Sequence, residues 1–97
     1  MIAALPTQEQ VDQIARTLAP DVVRIRLNVW HDWSGDPAIY FRSVLSDEAA
    51  RERLAEVAER VRQELRARLG LDDLEHISYF RFRTQSEQAV LKEKSWD

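Results

Sequence analysis

The sequence contains no cysteine, only two glycines and three prolines, and no long hydrophobic run. Without cysteine there can be no disulfide, no thiolate metal site and no cysteine nucleophile. Two glycines are too few for the glycine-rich loops that hold nucleotide phosphates. The apolar stretch over residues 1–5 ends at Pro6 and has no basic leader, so we expect neither a signal peptide nor a membrane span, and a cytoplasmic protein.

Length and net charge restrict the number of domains and the kinds of partner that the protein can have. The chain has 97 residues, of which 44% are hydrophobic, and this is enough for a single domain over residues 1–97 with one core. Fourteen basic residues stand against 17 acidic ones, for a net charge of -3. A protein that binds nucleic acid through its overall charge is usually basic, so any anion-binding site here must be local.

Helical and extended patterns alternate along the chain. Thr7 and Gln10 have the spacing of a capping box before a helix that ends near Pro20. Apolar residues at helical spacing predict a long helix over residues 47–69, with Gly70 as its left-handed C-terminal cap. Alternation with a period of two predicts strands over three ranges, 21–30, 38–45 and 77–84. Thr84 and Glu87 could cap a short closing helix.

This order, α-β-β-α-β-α, predicts an α+β fold with a three-stranded sheet. A right-handed crossover through the long helix would place the third strand beside the first, in order 2-1-3 with antiparallel neighbours. Both main helices would then cover one face, as in half of a ferredoxin-like domain. The core-facing residues are expected to be Val23, Ile25, Leu27, Ile39, Phe41, Phe80 and Phe82.

The opposite face of this sheet is unusual because it combines arginines with aromatic residues and has no acidic residue. Its arginines are Arg24, Arg26, Arg42, Arg81 and Arg83, and its aromatic residues are Tyr40, Tyr79 and Trp30. Guanidinium groups among aromatic rings suit an acidic protein surface or stacked bases. The alternatives are that the arginines are solvated, covered by the C-terminal segment or covered by a second subunit.

The loop between the first two strands holds His31, Asp32 and Asp36 beside two tryptophans. Imidazole and carboxylates can bind a metal, but these residues on one turn match no established ligand spacing, so turn formation is favoured. Ser34 near His31 has no third group to orient it, which argues against a catalytic triad. We therefore predict that the protein is not an enzyme and that it binds neither a cofactor nor a metal ion. Trp33 is interpreted as folded over the sheet edge or as a contact anchor.

The closing segment has too few apolar residues to be stable alone. It either docks on its own domain, or Leu91 and Trp96 enter a groove on a partner as an apolar pair of anchors.

Two strings, Asp32-Trp33-Ser34-Gly35-Asp36-Pro37-Ala38-Ile39 and residues 79–88 (YFRFRTQSEQ), followed by Ser95-Trp96, resemble a family of small bacterial proteins without an assigned activity. The resemblance covers residues 21–97. It implies a partner encoded beside it, a helical HEPN-domain protein, and a role in a two-component toxin–antitoxin or defence pair. The family has no catalytic residues to transfer.

The leading hypothesis is a non-enzymatic module that binds a protein, as an antitoxin-like or accessory subunit. Single-stranded nucleic-acid binding is the first alternative and a small metal-dependent enzyme is the second. Self-association through an exposed sheet edge is a further hypothesis. The predicted partner-binding residues are Arg24, Arg26, Arg42, Tyr79, Arg81, Arg83, Trp33, Leu91 and Trp96.

Overall fold

The computed structural model describes residues 4–97, so the start of the N-terminal apolar stretch, residues 1–3, lies outside the described residues. Among residues 4–97, no helix has both the length and the apolar character needed to cross a bilayer. Two short 3-10 turns accompany the main elements, at Leu71–Asp73 and Lys94–Trp96. The helices and strands are α1 (Gln8–Thr17), β1 (Val22–His31), β2 (Pro37–Leu45), α2 (Asp47–Leu69), β3 (Ile77–Thr84) and α3 (Gln85–Leu91).

The element ends follow the capping residues in the sequence. Thr7 and Gln10 form a complete capping box at the start of α1. Helix α2 ends at Gly70, whose φ of 60° is the left-handed conformation that glycine adopts without strain. Thr84 and Glu87 form a second capping box at the start of α3. The predicted positions of these caps are therefore confirmed.

The sheet differs from the prediction in its strand order and in its direction of pairing. Its order is β1-β2-β3, with β2 in the centre. Strand β2 pairs antiparallel with β1 and parallel with β3, so the sheet is mixed. The predicted order 2-1-3 with antiparallel neighbours is wrong, because the crossover through α2 returns β3 to the side of β2 and not to that of β1.

A side chain from α1 already occupies the outer edge of β1. Gln8 Nε2 donates to the carbonyl of Ile25 at 2.8 Å, and the N–H of Leu27 donates to Gln8 Oε1 at 2.8 Å. The amide of Gln8 thus replaces a neighbouring strand at this point. A third strand on this side would have to displace it, whereas the far side of β2 is open to β3.

Both long helices pack on the same face of the sheet. The buried core joins residues of α1, β1, β2 and α2 in one cluster, with Phe80 and Phe82 of β3 packed against it. Helix α2 lies over β3, where Arg66 and Arg62 stack on these two rings. In β1, Ile25 is buried as predicted, but at the start of the strand Val22 is buried and the predicted Val23 is exposed, because the register shifts between Val22 and Arg24.

Candidate functional site

The face of the sheet that points away from α1 and α2 carries residues in rows across the three strands. The strand register aligns Arg24 with Val44 and Arg83, and Arg26 with Arg42 and Arg81. The next two rows are Asn28, Tyr40 and Tyr79, then Trp30, Ala38 and Ile77. Residues two apart on a strand point to the same side, so all five predicted arginines share this face.

The first row is covered by the C-terminal strap, by which we mean residues 85–97. Trp96 is only 7% exposed, and the Arg83 guanidinium lies over its ring at 4.3 Å. Arg83 also donates to Gln88 Oε1 and to Glu93 Oε1, each at 2.9 Å. On the other side of the row, Arg24 Nε donates to the carbonyl of Trp96 at 2.9 Å. Arg24 and Arg83 therefore bind the strap of their own chain.

The strap thus docks on its own domain, which is one of the two alternatives drawn from the sequence. Trp96 is buried, while Leu91 of the same segment remains exposed. The two residues do not form the anchor pair on a common surface that the partner-binding hypothesis requires.

The second row remains open to solvent, and we call Arg26, Arg42 and Arg81 the open arginine row. Arg26 and Arg81 are exposed and Arg42 is half-buried. Within residues 4–97, no carboxylate lies within ion-pair distance of any of the three. Their one side-chain acceptor in this part of the chain is Asn28 Oδ1, which accepts from Arg42 at 2.6 Å. Three neighbouring positive charges without a counter-charge favour binding of an anionic group.

Two tyrosine rings stand next to the open arginine row. Tyr40 and Tyr79 stack on each other with ring centroids 5.1 Å apart and planes 15° apart. The Arg42 guanidinium lies over Tyr40 at 5.1 Å, and that of Arg81 lies over Tyr79 at 5.6 Å. These cation–π contacts orient the two guanidiniums over the sheet without neutralising their charge.

A shallow depression of about 400 Å³ lies between the strap and the end of β1. Trp30 forms one wall, with 67% of its surface exposed and its ring stacked on His31 at 4.7 Å. Ser95 of the strap lines the depression on another side, and Tyr40 and Arg42 also line it. The depression therefore combines exposed aromatic surface with a guanidinium.

The hairpin loop is held closed by the buried carboxylate of Asp32. Asp32 Oδ1 accepts from the N–H of Ser34 at 2.9 Å, the hydroxyl of Ser34 at 2.6 Å and the N–H of Asp36 at 3.1 Å. Asp32 Oδ2 accepts from the Tyr79 hydroxyl at 2.9 Å. Gly35 has a φ of 91°, which favours glycine at this point of the turn. The loop is thereby tied to β3 on the far side of the sheet.

These hydrogen bonds shift the acidity of both partners. The bond from the Ser34 hydroxyl, together with those from Tyr79 and the two main-chain N–H groups, lowers the pKa of Asp32 despite the effect of burial. The bond to Asp32, together with burial, raises the pKa of Tyr79. The carboxylate is therefore the form that holds the loop in place.

Trp33 lies on the same loop but takes no part in the hydrogen bonds of Asp32. It is 93% exposed at the tip of the hairpin, so it is not folded over the sheet edge. The loop on which it lies is nevertheless fixed by the Asp32 bonds. An indole fully in water on an ordered loop is a typical contact anchor.

The hairpin loop is also a candidate metal site in the sequence, through His31, Asp32 and Asp36. Within residues 4–97, no three His, Asp or Glu side chains are close enough together to hold a metal ion. Asp32 is engaged by its four hydrogen bonds, and His31 stacks on Trp30. In the described structure Asp32 and Asp36 belong to the turn of the hairpin, and His31 is the last residue of β1.

Sequence reasoning favoured a turn at Asp32 and gave docking of the closing segment as one alternative, but it missed two contacts, the bonds of the Asp32 carboxylate and the stacking of Arg83 on Trp96. The Asp-x-Ser spacing of residues 32–34 is a signal for a side chain that bonds to the main chain two residues later, and it could have identified the first. No local signal indicated that the Tyr79 hydroxyl bonds to Asp32 or that Trp96 stacks with Arg83, because the first contact joins distant parts of the chain and the second joins β3 to the end of the strap.

Comparison with known proteins found no matching family model, and no significant match to a curated protein sequence or to a solved structure. The resemblance to the bacterial family and its HEPN-domain partner therefore stays a prediction from the motifs in residues 32–39, 79–88 and 95–96.

Proposed function

We propose that this protein is a non-enzymatic binding module whose partner is another protein. Its binding surface comprises the uncovered part of the sheet face and the tip of the hairpin. This surface contains Trp30, Trp33, Tyr40, Tyr79 and the open arginine row.

The exposed Trp33 is the observation that carries the proposal. Packing in the core does not require this ring, since it is 93% exposed, and the Asp32 bonds hold the loop without its help. Tryptophan at the centre of an interface commonly supplies a large share of the binding energy. An ordered loop that presents it loses little conformational entropy on binding.

The open arginine row supplies the second element of the surface. Arginine is enriched at protein interfaces because its planar head bonds to two carboxylate oxygens and stacks on rings. Arg42 and Arg81 are already oriented by the tyrosines under them. A complementary partner surface should therefore be acidic.

Single-stranded nucleic acid is the less favoured partner. The tyrosine rings that a base would stack on are stacked against each other, and part of their surface is covered by guanidiniums. The net charge of -3 also opposes approach of a polyanion to the rest of the molecule. Both features are compatible with a folded acidic partner.

The partner that the resemblance suggests is a HEPN-domain protein encoded by a neighbouring gene, with the present chain in the antitoxin-like or accessory role. We expect the two to form a complex when they are produced together. Trp33→Ala and Arg81→Glu should each weaken its affinity about tenfold or more, measured by titration calorimetry with both variants shown to be folded.

Matched controls lie on other exposed surfaces. Arg51→Glu on α2 makes the same charge change, and Val90→Ala on α3 removes an exposed apolar side chain. Both should bind like the unaltered protein. The proposal is overturned if all four variants keep full affinity for the purified partner. It is also overturned if the protein forms no stable complex with the product of any neighbouring gene.

A further inference from the structure

The C-terminal strap shows what kind of segment this sheet face accepts. Two guanidiniums from the edge strands meet one indole and two carboxylates. Arg83 stacks on Trp96 at 4.3 Å and bonds to Glu93 at 2.9 Å, and Arg24 pairs with Asp97 at 3.3 Å. An aromatic ring with an acidic residue on either side along the chain thus satisfies one arginine row.

The open arginine row has the same arrangement one step further along the strands. Arg26 follows Arg24 by two residues on β1, and Arg81 precedes Arg83 by two on β3. Two residues along a strand correspond to about 7 Å, so the two rows are neighbours on one surface. The open row has a third guanidinium, that of Arg42, in the place of Val44. The open arginine row therefore has one more positive charge to be neutralised than the row of Arg24, Val44 and Arg83 under the strap.

The depression beside the strap provides a place for the ring. It lies between Trp30 and Ser95, with Asn28, Tyr40 and Arg42 also among its lining residues. A flat aromatic side chain placed there would contact the Trp30 indole and the Arg42 guanidinium, much as Trp96 contacts Arg83.

We infer that the open arginine row binds an acidic peptide segment of the partner in which one aromatic side chain lies between carboxylates. The ring occupies the depression beside Trp30, and the carboxylates pair with Arg26 and Arg81. The inference rests on the proposed function and specifies the chemistry of the partner segment. It follows the precedent of Glu93, Trp96 and Asp97 within this chain.

Blocked synthetic peptides test this chemistry on the intact protein. The probe is acetyl-Glu-Glu-Trp-Glu-Glu-amide, and its controls replace the tryptophan by alanine or all four glutamates by glutamines. Binding is followed by amide and guanidinium chemical shifts in NMR spectra. We expect the probe to bind more tightly than either control and to shift the signals of Arg26, Arg42 and Arg81.

Variants of the protein complete the test. Arg26→Gln and Arg81→Gln should each weaken binding of the probe roughly tenfold, the effect expected when one charge-assisted contact is lost. Arg51→Gln on α2 removes the same charge from another exposed surface and should leave binding unchanged.

Several outcomes would overturn the inference. One is equal binding of all three peptides, and another is no binding of the probe at a concentration of about 2 mM. A third is a set of shifts confined to Arg83 and Trp96, which would mean that the probe merely displaces the strap. Tighter binding of a thymidine octamer at the same ionic strength would assign the row to nucleic acid. If the peptide fails while the partner complex still depends on Trp33 and Arg81, the binding surface stands and only the inferred segment is wrong.

Discussion

The carboxylate of Asp32 organises the hairpin loop because it accepts hydrogen bonds from Ser34, Asp36 and Tyr79 at once. A residue that looked like a candidate metal ligand in the sequence thus has a structural role in the described chain. It fixes the loop on which Trp33 is exposed, so the proposed anchor depends on it indirectly.

The lowered pKa of Asp32 makes its contribution to stability depend on pH. The contribution is present above the unfolded value near 3.8 and is lost as the pH falls through the lower folded value. Asp32→Asn keeps an oxygen for the loop and an amide for Tyr79 but removes the charge. We expect this variant to show a weaker loss of stability in urea unfolding as the pH falls below the unfolded value near 3.8, because it has no carboxylate at this position to titrate.

Part of the acid dependence should survive in this variant. The pKa of Asp47 is lowered by hydrogen bonds from Ser86, and that of Glu87 by hydrogen bonds from Thr84. Glu52→Gln, on the exposed side of α2, serves as the control and should keep the unaltered acid dependence. An identical acid profile for Asp32→Asn and the unaltered protein would contradict the assigned role of this carboxylate.

At the scale of elements, α1 protects the edge of the sheet as well as covering its core face. Gln8 is the residue responsible, through its two bonds to the main chain of β1. We expect Gln8→Ala to lower the free energy of unfolding by about 1–2 kcal/mol, since each such bond contributes on the order of 1 kcal/mol net. Gln13→Ala, at an exposed position of the same helix, should change it far less. Equal unfolding midpoints for the two variants would argue against edge protection.

The strap is the second element with a role outside the main core. Trp96 covers the row of Arg24 and Arg83 and is buried there. Its truncation in Trp96→Ala should reduce stability by about 3 kcal/mol, the usual range for loss of a buried large aromatic side chain. The measurement is chemical denaturation followed by circular dichroism.

Val90→Ala provides the comparison within the same segment. Val90 is exposed on α3, so its truncation should alter stability by less than about 0.5 kcal/mol. If Trp96→Ala is as mild as Val90→Ala, the strap does not contribute to the stability of the domain.

On the scale of the whole molecule, charge is distributed unevenly. The net charge is -3, yet the open arginine row carries three guanidiniums without an acidic neighbour in the described part of the chain. Such a local positive patch on an acidic protein orients an approaching acidic surface toward one face. Association with the partner should therefore depend on ionic strength.

We expect the association rate constant of the complex to fall steeply between about 50 mM and about 500 mM salt, as screening shortens the range of the charges. Arg26→Gln should reduce this salt dependence, and Arg51→Gln should not. Stopped-flow fluorescence would measure the rates. A rate that does not change with salt would mean that the open row does not steer the partner.

Much of the fold was accessible from short stretches of sequence. Helix ends follow from Thr7, Gly70 and Thr84, because caps act within one turn of the chain. The common face of the five arginines follows from the two-residue period of the strands, which is local as well. These features need no knowledge of which elements meet.

Long-range packing settled the rest. Strand β3 pairs with β2, while the outer edge of β1 is occupied by Gln8 through contacts between residues 17 and 19 positions apart. The coverage of Arg24 and Arg83 by the strap joins residues up to 73 positions apart. Period and capping carry no information about such contacts, since these depend on which surfaces compete for the same edge or face. This is why Trp33 and Trp96, alike as sequence signals, are in one case exposed and in the other buried.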